Sequence, residues 1–288
     1  MRANSLEVSP RIHHREQVMG TVVTFDIYCD DHVAQHKAHV HIARARAILH
    51  HADALFSTWK EHSPINRLRR GDITLDEAPG EVKAVLGTCA EARAKSGGWF
   101  DPWAMPGGVD PTGYVKGWAA QRARDALARA GIRGAIVNAA GDIATYRCPE
   151  ASNLFRIGIV DPQAPHRLAC VVELDGAIAT SAAYERGEHL IDPHSGQPCS
   201  RVASASVTGP DLGLADALAT ALAVAGEEGL AMIETHKDYH GLVIGWDGSW
   251  SSTANFPFAP DLSPAPNAGE GCRCRAGEPE PSPLGVSD

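Results

Sequence analysis

Residues 135–146, Ala135-Ile136-Val137-Asn138-Ala139-Ala140-Gly141-Asp142-Ile143-Ala144-Thr145-Tyr146, place two short runs of β-forming residues, Ala135–Val137 and Ile143–Tyr146, around a Gly-Asp turn signal. Further strand candidates follow at Phe155–Val160, Leu168–Leu174, His189–Ile191 and Val202–Thr208, separated by Gly, Pro and Asp. Upstream, Val18–Tyr28 (VMGTVVTFDIY) reads as a strand, and Asp30 or Asp31 caps a helix running to about Asp53. Helices are predicted at Glu77–Lys95, stopped by Gly97-Gly98, and at Tyr114–Ala130, stopped by Gly131. Downstream, Leu212–Ala225 is helical with Gly226 as its stop, a further helix covers Glu227–His236, and Leu242–Thr253 forms a hairpin about Asp247-Gly248. Strands grouped between helices give an α+β order rather than a regular βαβ alternation. Residues 1–17 read as a loosely held arm, 18–256 as the domain, and 257–288, rich in Pro, Ser, Gly and Glu, as a disordered tail.

Among 288 residues, 26 are Lys or Arg and 35 are Asp or Glu, which leaves a net charge of −9. Phosphate-backbone binding needs a basic stripe, and none is visible, so nucleic acid is excluded as a partner. No apolar run reaches the ~20 residues of a transmembrane segment, and the start, Met1-Arg2-Ala3-Asn4-Ser5-Leu6-Glu7, has no apolar export region, so the expected location is cytoplasmic. The seven cysteines are odd in number and irregularly spaced, which reads as reduced thiols. Cys272 and Cys274 lie as Cys-Arg-Cys in the tail, and two ligands cannot complete a tetrahedral zinc site.

Two polar segments can carry chemistry. In Ala215-Asp216-Ala217-Leu218-Ala219-Thr220, Asp216 and Thr220 sit one helical turn apart on one face. A carboxylate and a hydroxyl so placed offer hard oxygen ligands to magnesium, while the structural alternative is a first-turn acid and a core threonine. The Gly-rich segment Gly107–Gly117 leads into a helix, where free backbone N–H groups and Lys116 suit an anionic ligand. It lacks the Lys-Ser/Thr ending of a P-loop. His189 is the candidate general base, because imidazole titrates near neutrality; a structural histidine bonded to Asp192 or backbone is the alternative. Ser181, His189 and Asp192 are near in sequence, but without a G-x-S-x-G elbow hydrolase chemistry is disfavoured. The His-rich first helix, with His32 and His36 one turn apart, reads as a solvated face. Trp59, Trp99, Trp103 and Trp118 are core anchors or the walls of a site for a planar ring.

Taken in order, Met19-Gly20-Thr21, Phe56-Ser57-Thr58-Trp59 with Ser63 and Asn66-Arg67-Leu68, Gly98–Pro102, Asp110–Gly117, Val137–Ile143, Ala179-Thr180-Ser181, His189–Pro198, and Ser206-Val207-Thr208 with Ala215–Thr220 resemble the FAD:protein FMN transferase (ApbE) family. The resemblance covers about residues 18–246. It implies an α+β, T-fold-like architecture with mixed or antiparallel sheets and flanking helices, FAD as substrate, and Mg²⁺. The implied activity is transfer of FMN from FAD to a Thr or Ser hydroxyl of a target flavoprotein, with release of AMP. By the same resemblance, Asp216, Thr220 and the Gly113 carbonyl are metal ligands. Met19, Trp59, Phe100, Asp101, Asp110, Lys116 and Ile191 line the FAD site, with His189 as the base. Asp110-Pro111-Thr112-Gly113 replaces the family's usual Asp-Leu-Gly-Gly, and Ala140 replaces the first glycine of a Gly-Gly-Asp turn. An FAD pyrophosphatase yielding FMN and AMP, or a non-catalytic FAD-binding protein, are the alternative expectations.

Overall fold

A computed structural model describes residues 11–151, 154–182 and 190–260, apart from the side chains of residues 32, 33, 36 and 37. Its centre is an eight-stranded sheet with every pairing antiparallel, consistent with the expected α+β class. In spatial order the strands are β1 (Arg11–Val18), β2 (Thr21–Tyr28), β3 (Gly134–Ala139), β4 (Asp142–Arg147), β7 (Ala177–Ala182), β10 (Ser204–Gly209), β11 (His240–Ile244) and β12 (Trp250–Ser252). β5 (Phe155–Asp161) and β6 (Ala164–Leu174) form a separate ribbon, and β8 (Ile191–Asp192) pairs with β9 (Gln197–Pro198).

Alternation along the strands assigns each face. Val23, Phe25 and Ile27 of β2, with Ala135 and Val137 of β3, point to one side and bury against helices α1 (His32–Phe56), α4 (Thr112–Ala128) and α5 (Leu212–Ala225). The opposite side of the sheet centre, through Ile143, Ile178, Leu242 and Ile244, packs on Phe155, Ile157 and Val172 of the β5–β6 ribbon. Helix α1 begins where Asp31 accepts a bond from the Ala34 N–H at 2.7 Å, and it buries Ala38, Ile42, Ala45, Leu49 and Ala52 at helical spacing. Helix α5 is apolar almost all round and is correspondingly buried all round, between the sheet and the remaining helices. In that helix Asp216, only 3% exposed, is a charged group that needs a reason to be there. Helices α2 (Pro64–Arg70) and α3 (Gly80–Lys95) complete the layer, and α6 (Leu230–Glu234) follows a 3₁₀ turn at Glu227–Gly229.

Two boundaries differ from the sequence reading. Residues 11–17, expected within a loose arm, form with Val18 the edge strand β1, paired residue for residue with β2, so the single strand expected at Val18–Tyr28 is broken by a turn at Met19-Gly20. Its apolar residues are few, and charged partners stabilise it instead: Arg11 and His13 both meet Asp26. At the other end, residues 257–260 are not tail, because Phe258 bridges to Val172 and the Ala259 N–H donates to the Val171 carbonyl at 2.8 Å. Residues 261–288, including Cys272 and Cys274, lie outside the described residues, as does the 1–10 segment. The expected two-residue turn at Asp247-Gly248 is a longer loop: the Gly245 N–H donates to the Ser249 carbonyl, and Gly248 takes φ 81°. Cys29, Cys89, Cys148, Cys170 and Cys199 are all free thiols, as the irregular spacing predicts.

Glu16 of β1 is buried beneath α1, where it accepts bonds from Arg46 and from His50, the latter at 2.6 Å, and lies 3.1 Å from His14. These partners, Arg46 first, pull its carboxyl from the usual 4.5 down to about 2 against the opposing effect of burial. A depressed carboxylate pKa contributes stability that is present above the unfolded value and is lost as pH falls through the folded one. Glu16→Gln is expected to lower stability at pH 7 by about 1–3 kcal/mol, because Arg46 is partly solvated, and to flatten acid unfolding between roughly pH 4.5 and 2. Urea titrations across that window check it; parallel curves for variant and parent would contradict it.

Candidate functional site

Two tight hairpins begin the site. β1 and β2 join through Met19 (φ 54°) and Gly20 (φ 70°), and β3 and β4 through Ala140 (φ 52°) and Gly141 (φ 93°). Positive φ at both central residues matches the twist of paired strands, and the Gly141 N–H is held by the Asn138 side chain at 2.9 Å. Since β2 and β3 are neighbours, Met19 and Ala140 end up on the rim of one cleft. Ala140 thus adopts a left-handed conformation that a glycine would take at no steric cost.

The cleft has a volume of about 490 Å³, within the ~300–1,000 Å³ range of small-molecule and cofactor sites. Met19, Trp59, Phe100, Asp101, Asp110, Lys116, Ile191, Gly113, Asp216 and Thr220, all singled out in the sequence, line it. They arrive from separate regions of the chain. His189 lies outside the described residues; Leu190 and Ile191, which follow it, are on the cleft wall.

Each wall has a local cause. Ser63 caps α2 by accepting from the Asn66 N–H at 3.1 Å and donates its own hydroxyl to the Ser57 carbonyl at 2.7 Å. The Asn66 amide donates to the carbonyls of Thr58 and Lys60, at 2.8 and 2.9 Å. These bonds shape the loop that holds Trp59 over the mouth of the cleft, 93% exposed. A large aromatic surface left in water at a cleft mouth suits a planar ligand. Trp99 is packed edge-on by His194, with ring centroids 4.4 Å apart, and Arg201 lies 5.3 Å from its centre. Trp118 is a core anchor, edge-on to Phe56 at 5.6 Å. Asp192 holds this corner together. Burial pushes its carboxyl up, but the His194 backbone and ring and Arg201 outweigh that and hold it below its ordinary value.

The loop at 101–110 is held by two arginines. Arg93 pairs with Asp101 at 2.6 Å, and Asp101 also accepts the Trp103 N–H. Arg69, which sequence reasoning missed, donates to the carbonyls of Pro106 and Val109 and lies 3.5 Å from Asp110. Gly107 leaves room for it, since a Cβ there would come within 2.7 Å of the Arg69 guanidinium. Asp110 accepts the Thr112 N–H at 3.0 Å, and Pro111 occupies the cap, where its missing N–H costs nothing. The first turn of α4 therefore lines the cleft and brings Lys116 to its wall, while the Thr112 N–H is taken by Asp110 and those of Tyr114 and Val115 by the Pro111 carbonyl.

The floor is made where α4 crosses α5. Gly113 and Gly117, one turn apart, form the contact: a Cβ on Gly117 would meet the Leu212 carbonyl oxygen at 2.4 Å, and one on Gly113 the Thr220 hydroxyl at 3.1 Å. This close approach lets the Gly117 N–H donate to the Asp216 carboxylate at 3.1 Å. It also brings Thr220 Oγ1 beneath Gly113, with Ser181 Oγ 3.3 Å away. Burial first, and then the neighbouring Asp142, push the Asp216 carboxyl well above its ordinary value, with Lys116 and the Gly117 N–H opposing. Asp142, which the Gly-Asp turn signal marked only as a structural turn residue, is fully buried and lies 2.8 Å from Lys116 Nζ. Among the described residues no three His, Cys, Asp or Glu side chains converge into a metal cage, and the donors gathered here are carboxylate and hydroxyl oxygens. Of the first-helix histidines, His50 meets Glu16 and His51 meets Glu81.

An antiparallel sheet backed by helices, with a nucleotide-sized cleft across its hairpin tips and a helix N-terminus, defines a class of α+β ligand-binding proteins. Within that class the chain belongs to the ApbE family, whose sequence profile it matches over residues 19–107 and 105–243. It is 38% identical over 129 residues to the FAD:protein FMN transferase of Rhodobacter capsulatus, covering 42% of this chain and 24% of that protein. To the Vibrio cholerae protein of the same name it is 33% identical over 167 residues, covering 54% and 50%. The matched regions thus span a quarter to a half of these curated relatives. The fold matches the Vibrio cholerae flavin transferase ApbE (TM-score 0.69, 21% identity, 88% of this chain and 97% of that one) and the Thermotoga maritima ApbE protein (0.72, 20%, 85% and 98%). Among the described residues no helix is long and apolar enough to cross a membrane.

Proposed function

We propose that this chain transfers FMN from FAD to a Ser or Thr hydroxyl of a target flavoprotein, releasing AMP, in a Mg²⁺-dependent reaction. One observation carries the reading: a cleft with an exposed tryptophan at its mouth and a helix N-terminus with Lys116 on its wall ends at a floor of oxygen donors. A flavin ring, a diphosphate and a hard cation fit those three parts in turn. The curated relatives with matching sequence carry the same activity in their names.

Asp216, Thr220 and the Gly113 carbonyl would hold the magnesium. The floor fits such an ion, because Asp216 and Asp142 bury two carboxylates against one ammonium, and Asp142 Oδ2 receives no aligned hydrogen bond. When bound, magnesium supplies charge neutralisation at the diphosphate as AMP departs. The chain's own groups do the rest. Trp59, Met19 and Phe100 take the apolar ring system, while Lys116 orients the phosphates. His189 accepts the proton of the acceptor hydroxyl as that oxygen bonds to the FMN phosphorus and the bond from phosphorus to the bridging oxygen breaks. AMP leaves with the bridging oxygen.

The test is to incubate the chain with FAD, Mg²⁺ and a candidate acceptor, then run the acceptor on a denaturing gel. A fluorescent acceptor with stoichiometric AMP is the expected result. Free FMN without labelled protein would instead indicate the pyrophosphatase, and intact bound FAD a carrier. His189→Ala is expected to slow transfer by about 10²–10⁴-fold with FAD affinity retained. An unchanged rate would remove His189 from the mechanism.

A further inference from the structure

The buried Asp142 has no place in the scheme above, yet it sits where three elements meet. It opens β4 directly after the Ala140-Gly141 turn and is fully buried. One carboxylate oxygen faces the Thr180 N–H at 3.4 Å, and the other lies 2.8 Å from Lys116 Nζ of α4. Asp216 of α5 is close enough that Asp142 raises its pKa and Lys116 lowers it. A buried carboxylate is costly unless it is compensated. A fold that needed only an anchor for the turn could use a neutral side chain here. With Asp216 ionised, as it would be when it ligates a cation, two carboxylates and one ammonium give the floor of the cleft one net negative charge.

We propose that Asp142 is a positioning residue for cation binding: it fixes the Lys116 ammonium at the cleft floor and supplies the negative charge that makes the Asp216–Thr220 face bind a divalent ion. Without it, Lys116 would neutralise Asp216 and repel the ion. This inference rests on the proposed metal-dependent reading of the same site. The charge count gives an ordering that a merely structural role does not. Asp142→Asn brings the floor to zero net charge, Lys116→Met brings it to two negative charges, and the double variant restores one.

The experiment measures Mn²⁺ binding to the full chain without FAD, by the loss of the free-ion electron paramagnetic resonance signal, with circular dichroism to establish folding. The expected order of affinity is Lys116→Met above parent, parent similar to the double variant, and Asp142→Asn weakest by about tenfold or more. Rescue of cation binding in the double variant is the distinguishing result. Equal weakening in Asp142→Asn and the double variant, or no change in either, overturns the inference while leaving parental binding intact. If Asp142→Asn does not fold, Lys116→Met and the double variant still decide, since tighter binding in the first and parental binding in the second are required. A parent that binds no Mn²⁺ overturns both this inference and the metal-dependent reading beneath it.

Discussion

Replacing Asp216 by Asn is expected to lower flavin transfer by about 10³-fold or more while leaving the chain folded and, without metal, at least as stable as its parent. The two halves of this result have the same origin. Asp216 is a charge buried in an apolar helix beside a second buried carboxylate, Asp142, so it opposes folding of the ion-free chain. Asn fills nearly the same volume, can still accept the Gly117 N–H that now reaches the carboxylate at 3.1 Å, and removes the repulsion. What it removes as well is the anionic ligand that the proposed reaction assigns to magnesium. Transfer assays with a Mg²⁺ titration, together with urea unfolding in a chelator, measure both halves. Full activity in Asp216→Asn would show that the carboxylate does not hold the ion, and a large loss of stability would show that it serves the fold.

The second large effect is expected at a residue with no chemistry. Alanine is the better helix former, by about 1 kcal/mol over glycine in a helix interior. At Gly87 of α3, where nothing lies within 4 Å of the added carbon, Gly→Ala should therefore stabilise modestly. At Gly117 the same change places a Cβ 2.4 Å from the Leu212 carbonyl oxygen and 3.0 Å from Asp216 Cβ, so backbone must move. Gly117→Ala is expected to destabilise by about 1–3 kcal/mol and, by prising α4 from α5, to separate Gly113 from Thr220 and weaken metal-dependent turnover. Thermal unfolding of the two variants side by side checks this. A Gly117→Ala chain as stable as Gly87→Ala would mean that the helices do not cross as closely as described.

The elements that sequence periodicity could reach were those with a strong pattern. Leu212–Ala225 is helix α5 to the residue, because an apolar run interrupted by few polar residues, Asp216 and Thr220, ends at a Gly with positive φ. The Glu227–His236 helix splits into a 3₁₀ turn and the short α6, since Gly229 lies against α5 and interrupts it. Strand β1 was hidden because its residues are mostly polar, and its pairing depends on Asp26 and Glu16 meeting cations from elsewhere in the chain. Helix α2 carries a Pro at its start and only one fully buried residue, Ile65, so no apolar period announces it. The spacing of Asp216 and Thr220 was legible as one helix face. That Gly113 would lie opposite that face came from the family resemblance and not from spacing, because the partnership depends on a helix crossing between α4 and α5, where Gly117 and Asp216 stand 99 residues apart in sequence. Asp142 and Arg69 were missed for the same reason: an aspartate after a glycine reads as a turn and an arginine in a basic run reads as solvated surface, until Lys116 and the 106–110 loop are brought beside them.

The most direct test is a crystal of the chain grown with FAD and Mn²⁺ in place of Mg²⁺, with anomalous diffraction recorded above the manganese edge. An anomalous peak between the Asp216 carboxylate, Thr220 Oγ1 and the FAD diphosphate, with the flavin against Trp59, is the predicted result. FAD bound in the cleft with no peak there, or a peak at a site remote from Asp216 and Thr220, would contradict the account.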